Sequence, residues 1–208
     1  MNKFLIGMDV GFAHFGLSAF KLDPDTGIEF MASNHIETEK AAKNSKTRVD
    51  SDNIRRVQEL TRGIDSFIYR TTGKVTEIAG DRIFVAAEFP TGGSKDSKSA
   101  MGFGLGTGML TAYLTLRNMP FEHVTPDEVK FIATNRTRKV DKKQVEAGMT
   151  ELLEAEEVTF EGENLSTYLD HYYNRKLATT GGREHVADSV AAAWWAVSYS
   201  NTYKAFVA

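Results

Sequence analysis

The stretch Phe4-Leu5-Ile6-Gly7-Met8-Asp9-Val10-Gly11-Phe12-Ala13-His14-Phe15-Gly16-Leu17-Ser18-Ala19-Phe20 reads as an apolar strand carrying one acid, a glycine-bearing turn, and a second strand returning from Gly16. An ionised Asp9 set in apolar sequence is costly unless a cation or several donors compensate it. An Asp that caps the turn through its own backbone is the plainer explanation. It ranks second, because two further acidic sites later in the chain have settings suited to converge on Asp9.

Outward from this hairpin, residues 3–10 and 16–22 are the first two strands, and Asp23-Pro24-Asp25-Thr26-Gly27 is a turn. A third strand, Ile28 to Glu37, completes an antiparallel meander, and Thr38 to Thr47 is a polar loop. Asp52 is the expected N-cap of a helix whose apolar positions Ile54, Val57, Leu60, Ile64, Phe67 and Ile68 keep helical spacing until Thr72-Gly73. Arg55, Arg56 and Arg62 fall off that stripe and are expected on a solvated face.

Arg82 to Glu88 reads as a buried strand ending on an acid, broken at once by Phe89-Pro90-Thr91-Gly92-Gly93. Open α/β sheets place ligand groups at such strand ends. A strand-end Glu pointing into water is an equal alternative on position alone. Ser97 to Leu116 follows, with Gly102, Gly104, Gly106 and Gly108 between apolar residues. Each glycine costs about 1 kcal/mol in a helix interior, yet Gly104 and Gly108 at i, i+4 would let a helix approach its neighbour closely, so a helix is expected. The stretch lacks the Gly-Lys-Ser/Thr ending of a phosphate loop.

Pro120 to Val124 is a short strand, and Thr125-Pro126-Asp127-Glu128 starts a helix running to Thr134. A basic loop, Asn135 to Val140, leads to Asp141 and an amphipathic helix bearing Val145, Met149, Leu152 and Leu153. Val158 to Gly182 reads as an ordered insertion followed by a loop, either a lid or a partner surface. The last helix, Arg183 to Tyr199, holds His185, Asp188 and the run Ala191-Ala192-Ala193, a thin face for close packing.

A chain of 208 residues suffices for one well-cored domain. Its 41% hydrophobic residues, 25% charged residues and four prolines describe an ordinary globular protein. No apolar run approaches the roughly 18 residues of a membrane helix, and no secretory leader is evident, so a cytoplasmic location without membrane contact is expected. With no cysteine, disulfides and thiolate metal sites are excluded. The net charge of -3 argues against a uniformly basic nucleic-acid binder. Its distribution argues otherwise: from Glu128 to Val145, Lys130, Arg136, Arg138, Lys139, Lys142 and Lys143 stand against two acids, Glu128 and Asp141. An acidic run from Glu146 to Asp170 follows, so one basic face on an acidic protein is expected.

His185 and Asp188, three apart on a helix, share one face. A lone buried His is more often a satisfied core residue; its pairing with Asp188 points toward metal binding, with Glu184 and Asp188 as a competing pair. If Asp9, Glu88, His185 and Asp188 converge, three carboxylates would repel one another strongly unless divalent cations lay between them. Oxygen-rich ligation with one imidazole suits Mg²⁺ or Mn²⁺ better than structural zinc. Two such ions about 4 Å apart can activate water on one side of a phosphodiester and stabilise the leaving oxygen on the other. The chemistry so implied is phosphoryl transfer on nucleic acid.

In order and spacing these motifs resemble the RuvC-type Holliday junction resolvases of the ribonuclease H-like superfamily, including the compact members found in bacteriophages. Gly7-Met8-Asp9-Val10-Gly11 is similar to the family's first acidic motif, with Val10 where proline is frequent; Glu88 corresponds to the acid of the second. Ser99 to Gly108 is similar to the helix that follows, and His185-Val186-Ala187-Asp188-Ser189 resembles the terminal motif. Val129-Lys130 and Lys142-Lys143-Gln144-Val145 resemble basic segments at which lysines approach the DNA backbone and one assists catalysis.

The resemblance implies an α/β, ribonuclease H-like fold: a five-stranded mixed sheet, its first three strands an antiparallel meander, flanked by helices. It implies a single nuclease domain over residues 1–208, with an insertion at about 158–182. The implied activity is a homodimeric, Mg²⁺-dependent endodeoxyribonuclease that nicks a four-way DNA junction, and other branched DNA, in pairs. Asp9, Glu88, His185 and Asp188 would hold the metal, for which Mn²⁺ would substitute. Lys142 would support phosphate charge, and Lys130, Arg136, Arg138, Lys139 and Lys143 would bind DNA. The insertion and the longer loop after Glu88 depart from the bacterial pattern, and Phe89 stands near where relatives carry a junction-centre aromatic. Two rivals compete: an actin-like kinase or ATPase domain, which needs a second such domain and phosphate loop, and a junction-binding relative without catalysis.

Overall fold

The computed structural model describes residues 2–42, 46, 48–73, 79–90, 97–173 and 182–208. Five strands form its sheet: β1 (Lys3–Asp9), β2 (His14–Asp23), β3 (Gly27–Glu37), β4 (Ile83–Glu88) and β5 (Phe121–Val124). Their order is β3-β2-β1-β4-β5. β1 to β3 make the expected antiparallel meander, β4 runs parallel to β1, and β5 runs parallel to β4. The helices are α1 (Val49–Thr72), α2 (Ala79–Arg82), α3 (Ser97–Leu116), α4 (Pro126–Thr134), α5 (Lys142–Ala155), α6 (Leu165–Tyr173), α7 (Gly182–Tyr199) and α8 (Asn201–Val207).

Because strand side chains alternate, β1 and β4 feed two separate cores and must be apolar at nearly every position. Phe4, Ile6 and Met8 of β1 pack with Leu60, Ile64 and Phe67 of α1 and Leu110 and Leu114 of α3. Leu5, with Phe84 and Ala86 of β4, faces the other way, toward Val186, Val190, Ala191 and Trp194 of α7. Full burial of each such Leu, Ile or Phe contributes about 1.5–3 kcal/mol. Two glycines bring α7 down onto the sheet. A Cβ at Gly7 would stand 2.0 Å from the Ser189 carbonyl oxygen, and one at Gly16 2.0 Å from that of His185.

The starts of α4 and α5 follow the sequence expectation. Thr125 and Glu128 form a reciprocal capping box with Pro126 at the first position, and Asp141 and Gln144 form another. The start of α1 differs: the helix begins at Val49, and Asp52 lies inside its first turn. There the Asp52 carboxylate accepts the Ala41 N–H at 3.2 Å and pairs with Arg55 at 2.7 Å, tying a loop down instead of capping. Ile54, expected in the stripe, is exposed, while Arg56, expected in solvent, is only 3% exposed. Arg56 lies 4.1 Å over the Phe12 ring and donates to Thr38 Oγ1 at 3.0 Å and to the carbonyls of Phe12 and Thr38.

The glycines of α3 also act in a different phase from the one expected. A Cβ at Gly104 or Gly108 would have no neighbour within 4 Å among the described residues, whereas Gly102 and Gly106 face Phe12 and Val10. Of the 158–182 insertion, the described part is anchored: Val158, Phe160, Leu165, Tyr168 and Leu169 join the core under α7. That part is therefore no lid, and residues 174–181 lie outside the described residues. Among the described residues, no helix is long and apolar enough to cross a membrane.

Candidate active site

Strand register performs the first step of assembly. Asp9 is paired with Glu88 across the parallel β1/β4 ladder and with Gly16 across the antiparallel β1/β2 ladder. Paired residues share a face, so both carboxylates emerge beneath α7 at the C-terminal ends of their strands. α7 then supplies His185, whose Nδ1 is hydrogen-bonded to Asp9 Oδ2, and Asp188 one turn later. The side chains of His185 and Asp9 are 17% and 13% exposed, so the pair is largely shielded yet reachable.

The electrostatics are those of an uncompensated acidic pocket. Burial, and then the negative charges of Asp9 and Asp188, push the Glu88 carboxyl well above the ordinary carboxylate range, against the pull of Lys142 and Lys130. Burial and the Asp9 charge raise Asp188 likewise, with Lys142 and His185 opposing. Glu88 Oε2 is buried and has no hydrogen-bond partner among the described residues. An orphaned acceptor among mutually repelling acids is the setting a divalent cation stabilises. Three carboxylates and one imidazole fit a hard dication of the Mg²⁺ or Mn²⁺ type.

Lys142 is the first residue of α5, beyond its Asp141 cap, and its Nζ lies 2.6 Å from Glu184 Oε1. Burial alone would lower its pKa, but Glu184, Asp188 and Asp9 together hold it above the ordinary value. Glu184, the expected competitor of His185 for pairing with Asp188, is thus ion-paired with Lys142. Lys130 of α4 is half-buried, 3.4 Å from Asp127, and its charge is felt at Glu88. Arg136, Arg138 and Lys139 are exposed along the connection that leads from α4 into Lys142, and Lys143 is exposed just after it in α5, so the basic stretch borders the acidic pocket. Phe89 is buried, with its ring 5.0 Å from that of His123, and is not available for stacking on DNA.

Two histidines that sequence reasoning passed over stand beside this pocket. His14 of β2 and His35 of β3 meet His185, and one nitrogen of each lies within 4.8 Å of the other two. Among the described residues this is the group of three histidines or acids that is so compact; the carboxylates are set more widely. Burial, and then the neighbouring His185 and His14, push His35 down to about 4. The usable signal is parity: His14 and Gly16 alternate on one strand face, and His35 pairs with Gly16. Parity becomes informative only once the β2/β3 register is known.

No protein-family model and no curated protein matches the sequence. Solved structures do match. Thermus thermophilus RuvC in complex with a Holliday junction substrate is 14% identical, with 94% of this chain and 93% of that chain covered and a TM-score of 0.58. A second structure of Thermus thermophilus RuvC is 15% identical over 95% of each chain, with a TM-score of 0.56. The yeast mitochondrial Holliday junction resolvase Ydc2 is 17% identical over 97% of this chain and 83% of that one, also at 0.56. The fold is therefore the ribonuclease H-like α/β fold of RuvC-type resolvases, with its five-stranded mixed sheet.

Proposed function

We propose that this protein is a structure-selective endodeoxyribonuclease that resolves four-way DNA junctions, and other branched DNA, by paired metal-dependent nicking. The observation that carries the reading is the meeting of Asp9, Glu88, His185 and Asp188 at one end of β1 and β4, on a RuvC-type fold. Asp9, Glu88, His185 and Asp188 would hold Mg²⁺, or Mn²⁺ in its place, which supplies charge neutralisation and a more acidic water.

The remaining parts belong to the chain itself. Lys142, held protonated by Glu184, supports negative charge on the phosphate under attack. Lys130, Arg136, Arg138, Lys139 and Lys143 take backbone phosphates on either side of the cut. Such contacts do not read bases, so selectivity comes from junction shape and deformability, and binding weakens steeply with salt. Residues 1–208 act as one nuclease domain in the cytoplasm, with 158–182 as an elaboration of it.

Paired nicking needs two sites, and α3 offers the surface for a homodimer. Its outward side carries Met101, Phe103, Gly104, Gly108 and Leu116, the last 84% exposed, and no charged residue stands between Ser99 and Leu116. An uncharged, apolar helix surface of that length is a partner site more often than a solvated one. The test is cleavage of a synthetic mobile four-way junction with Mg²⁺. Symmetric nicks on opposing strands are expected, and ATP hydrolysis without any nicking would favour the kinase-like alternative.

A further inference from the structure

The proposed nuclease chemistry leaves His14 and His35 without a task. Their meeting with His185 is built by the backbone. Antiparallel register sets His14 opposite Glu37 and Gly16 opposite His35, so both histidines stand on the sheet face under α7. Gly16, between them, has no side chain, and the His185 backbone descends onto it. Three imidazoles from three elements therefore surround one point.

The arrangement of the rings is not that of a packing column. Their centres are 5.4, 5.4 and 5.7 Å apart, a nearly equilateral triangle, and their planes are parallel within 9°. In a column the outer rings would stand about twice as far apart as adjacent ones. The point equidistant from the three centres lies about 3.2 Å from each, the distance at which an ion lying in a ring's own plane, 2.0–2.1 Å from its nitrogen, stands from that ring's centre. Two of the nitrogens, His14 Nδ1 and His35 Nε2, are buried and have no hydrogen-bond partner among the described residues. Packing alone gives no reason to leave both unpaired.

We infer that His14, His35 and His185 form a second metal site that takes one zinc-class dication, Zn²⁺, Co²⁺ or Ni²⁺, with a fourth position open to water. An all-imidazole set selects this class over Mg²⁺, as the neighbouring carboxylates select the reverse. Asp9 completes it from behind. Its carboxylate accepts from His185 Nδ1, which leaves Nε2 as the ligand atom, the carboxylate–histidine–metal arrangement that fixes ring and tautomer. An ion on the trio would thereby hold the His185–Asp9 pair in place at the edge of the acidic pocket. The inference shares His185 and Asp9 with the nuclease reading and adds His14 and His35, of which that reading makes no use. With an ion on the trio, His185 would serve the acidic pocket through Asp9, leaving Asp9, Glu88 and Asp188 to hold Mg²⁺.

The full-length protein, stripped with EDTA and returned to excess Mg²⁺, is titrated with Zn²⁺ by calorimetry and followed through its histidine ring resonances by NMR. The expected result is one Zn²⁺ per chain that Mg²⁺ does not displace, with three of the five histidines perturbed and His123 and His171 unmoved. H14A and H35A should each weaken Zn²⁺ by about 100-fold or more, and D9N by about 10–100-fold as an outer partner, while E88Q leaves Zn²⁺ affinity unchanged. The NMR result on the unmodified chain stands even if a histidine variant misfolds. Absence of Zn²⁺ binding, displacement by Mg²⁺, or loss of Zn²⁺ in E88Q but not in H14A and H35A overturns the site. A chain that binds Zn²⁺ at the trio but cuts no junction sinks only the nuclease reading; one that cuts without binding Zn²⁺ sinks only this one.

Discussion

Asp9 and Glu88 face each other as register partners across two parallel strands, each the last residue of its strand. No loop intervenes in setting their relative position. The sheet that determines the fold also determines the separation of the two acids, and α7, seated on Gly7 and Gly16, brings Asp188 and His185 to meet them.

Replacing Asp9 by Asn keeps its shape and removes its charge. An outer partner of a metal ligand alone is worth about 10–100-fold, and a carboxylate that also holds the Mg²⁺ itself is worth more, so D9N should lose at least about 100-fold of junction cleavage. Binding, which depends on the basic residues, should persist in a mobility-shift assay without divalent ions. Cleavage at the unmodified rate would remove Asp9 from the site.

The acidic pocket also makes a prediction about pH. Burial and repulsion raise the Glu88 and Asp188 carboxyls, so the ion-free native protein keeps protons that the unfolded chain releases near pH of about 4. By linkage their contribution to stability is complete below that unfolded value and is lost as pH climbs through the raised native values. The melting temperature of EDTA-treated protein should therefore contain a component that declines from weakly acidic to weakly basic pH and flattens in the E88Q/D188N double variant. Mg²⁺ should raise the melting temperature more at the basic end. A double variant with an unchanged pH profile would contradict the assignment.

Gly16→Ala tests how α7 is seated. The added methyl would meet the His185 carbonyl oxygen and carbon, 2.0 and 2.3 Å away, and the backbone there cannot swing aside as a side chain would. Destabilisation at or above the usual overpacking range of about 1–3 kcal/mol is expected in urea melts, with junction cleavage falling further than stability alone explains. Wild-type stability would mean that α7 is not held against β2 at this point.

Leu116→Glu tests the surface of α3. Leu116 is almost fully exposed, so the change should leave the monomer's melting behaviour within about 0.5 kcal/mol of the original. The mass by light scattering should fall from dimer to monomer. On a supercoiled plasmid bearing a cruciform, single nicking should replace linearisation, and an unchanged mass would locate the dimer elsewhere.

The order of strands and helices was legible because β1 and β4 are apolar at almost every position and because two capping boxes announce α4 and α5. Asp9, Glu88, His185 and Asp188 could be singled out one by one, since each is polar in an apolar element. Arg56 could not be placed, because its partners are carbonyls and a hydroxyl in loops far along the chain. Helical spacing says nothing of them. The phase of the α3 glycines was hidden for another reason: that helix is apolar on nearly all sides, so periodicity does not tell Gly102 and Gly106 from Gly104 and Gly108. His14 and His35 needed a strand register, and turn chemistry alone did not supply it.

Arg183, the second residue of α7, donates from Nε to Glu146 of α5 at 2.6 Å and pairs with Asp170 of α6. Three helices thus share a single guanidinium, two residues ahead of His185. The inserted helix cannot be treated as a detachable module: grafting it into another scaffold, or excising it here, would break an ionic clasp and loosen the start of the helix that carries half of the acid-and-imidazole set. Any shortened or chimeric version should therefore keep Arg183 together with both of its carboxylates, or replace all three at once.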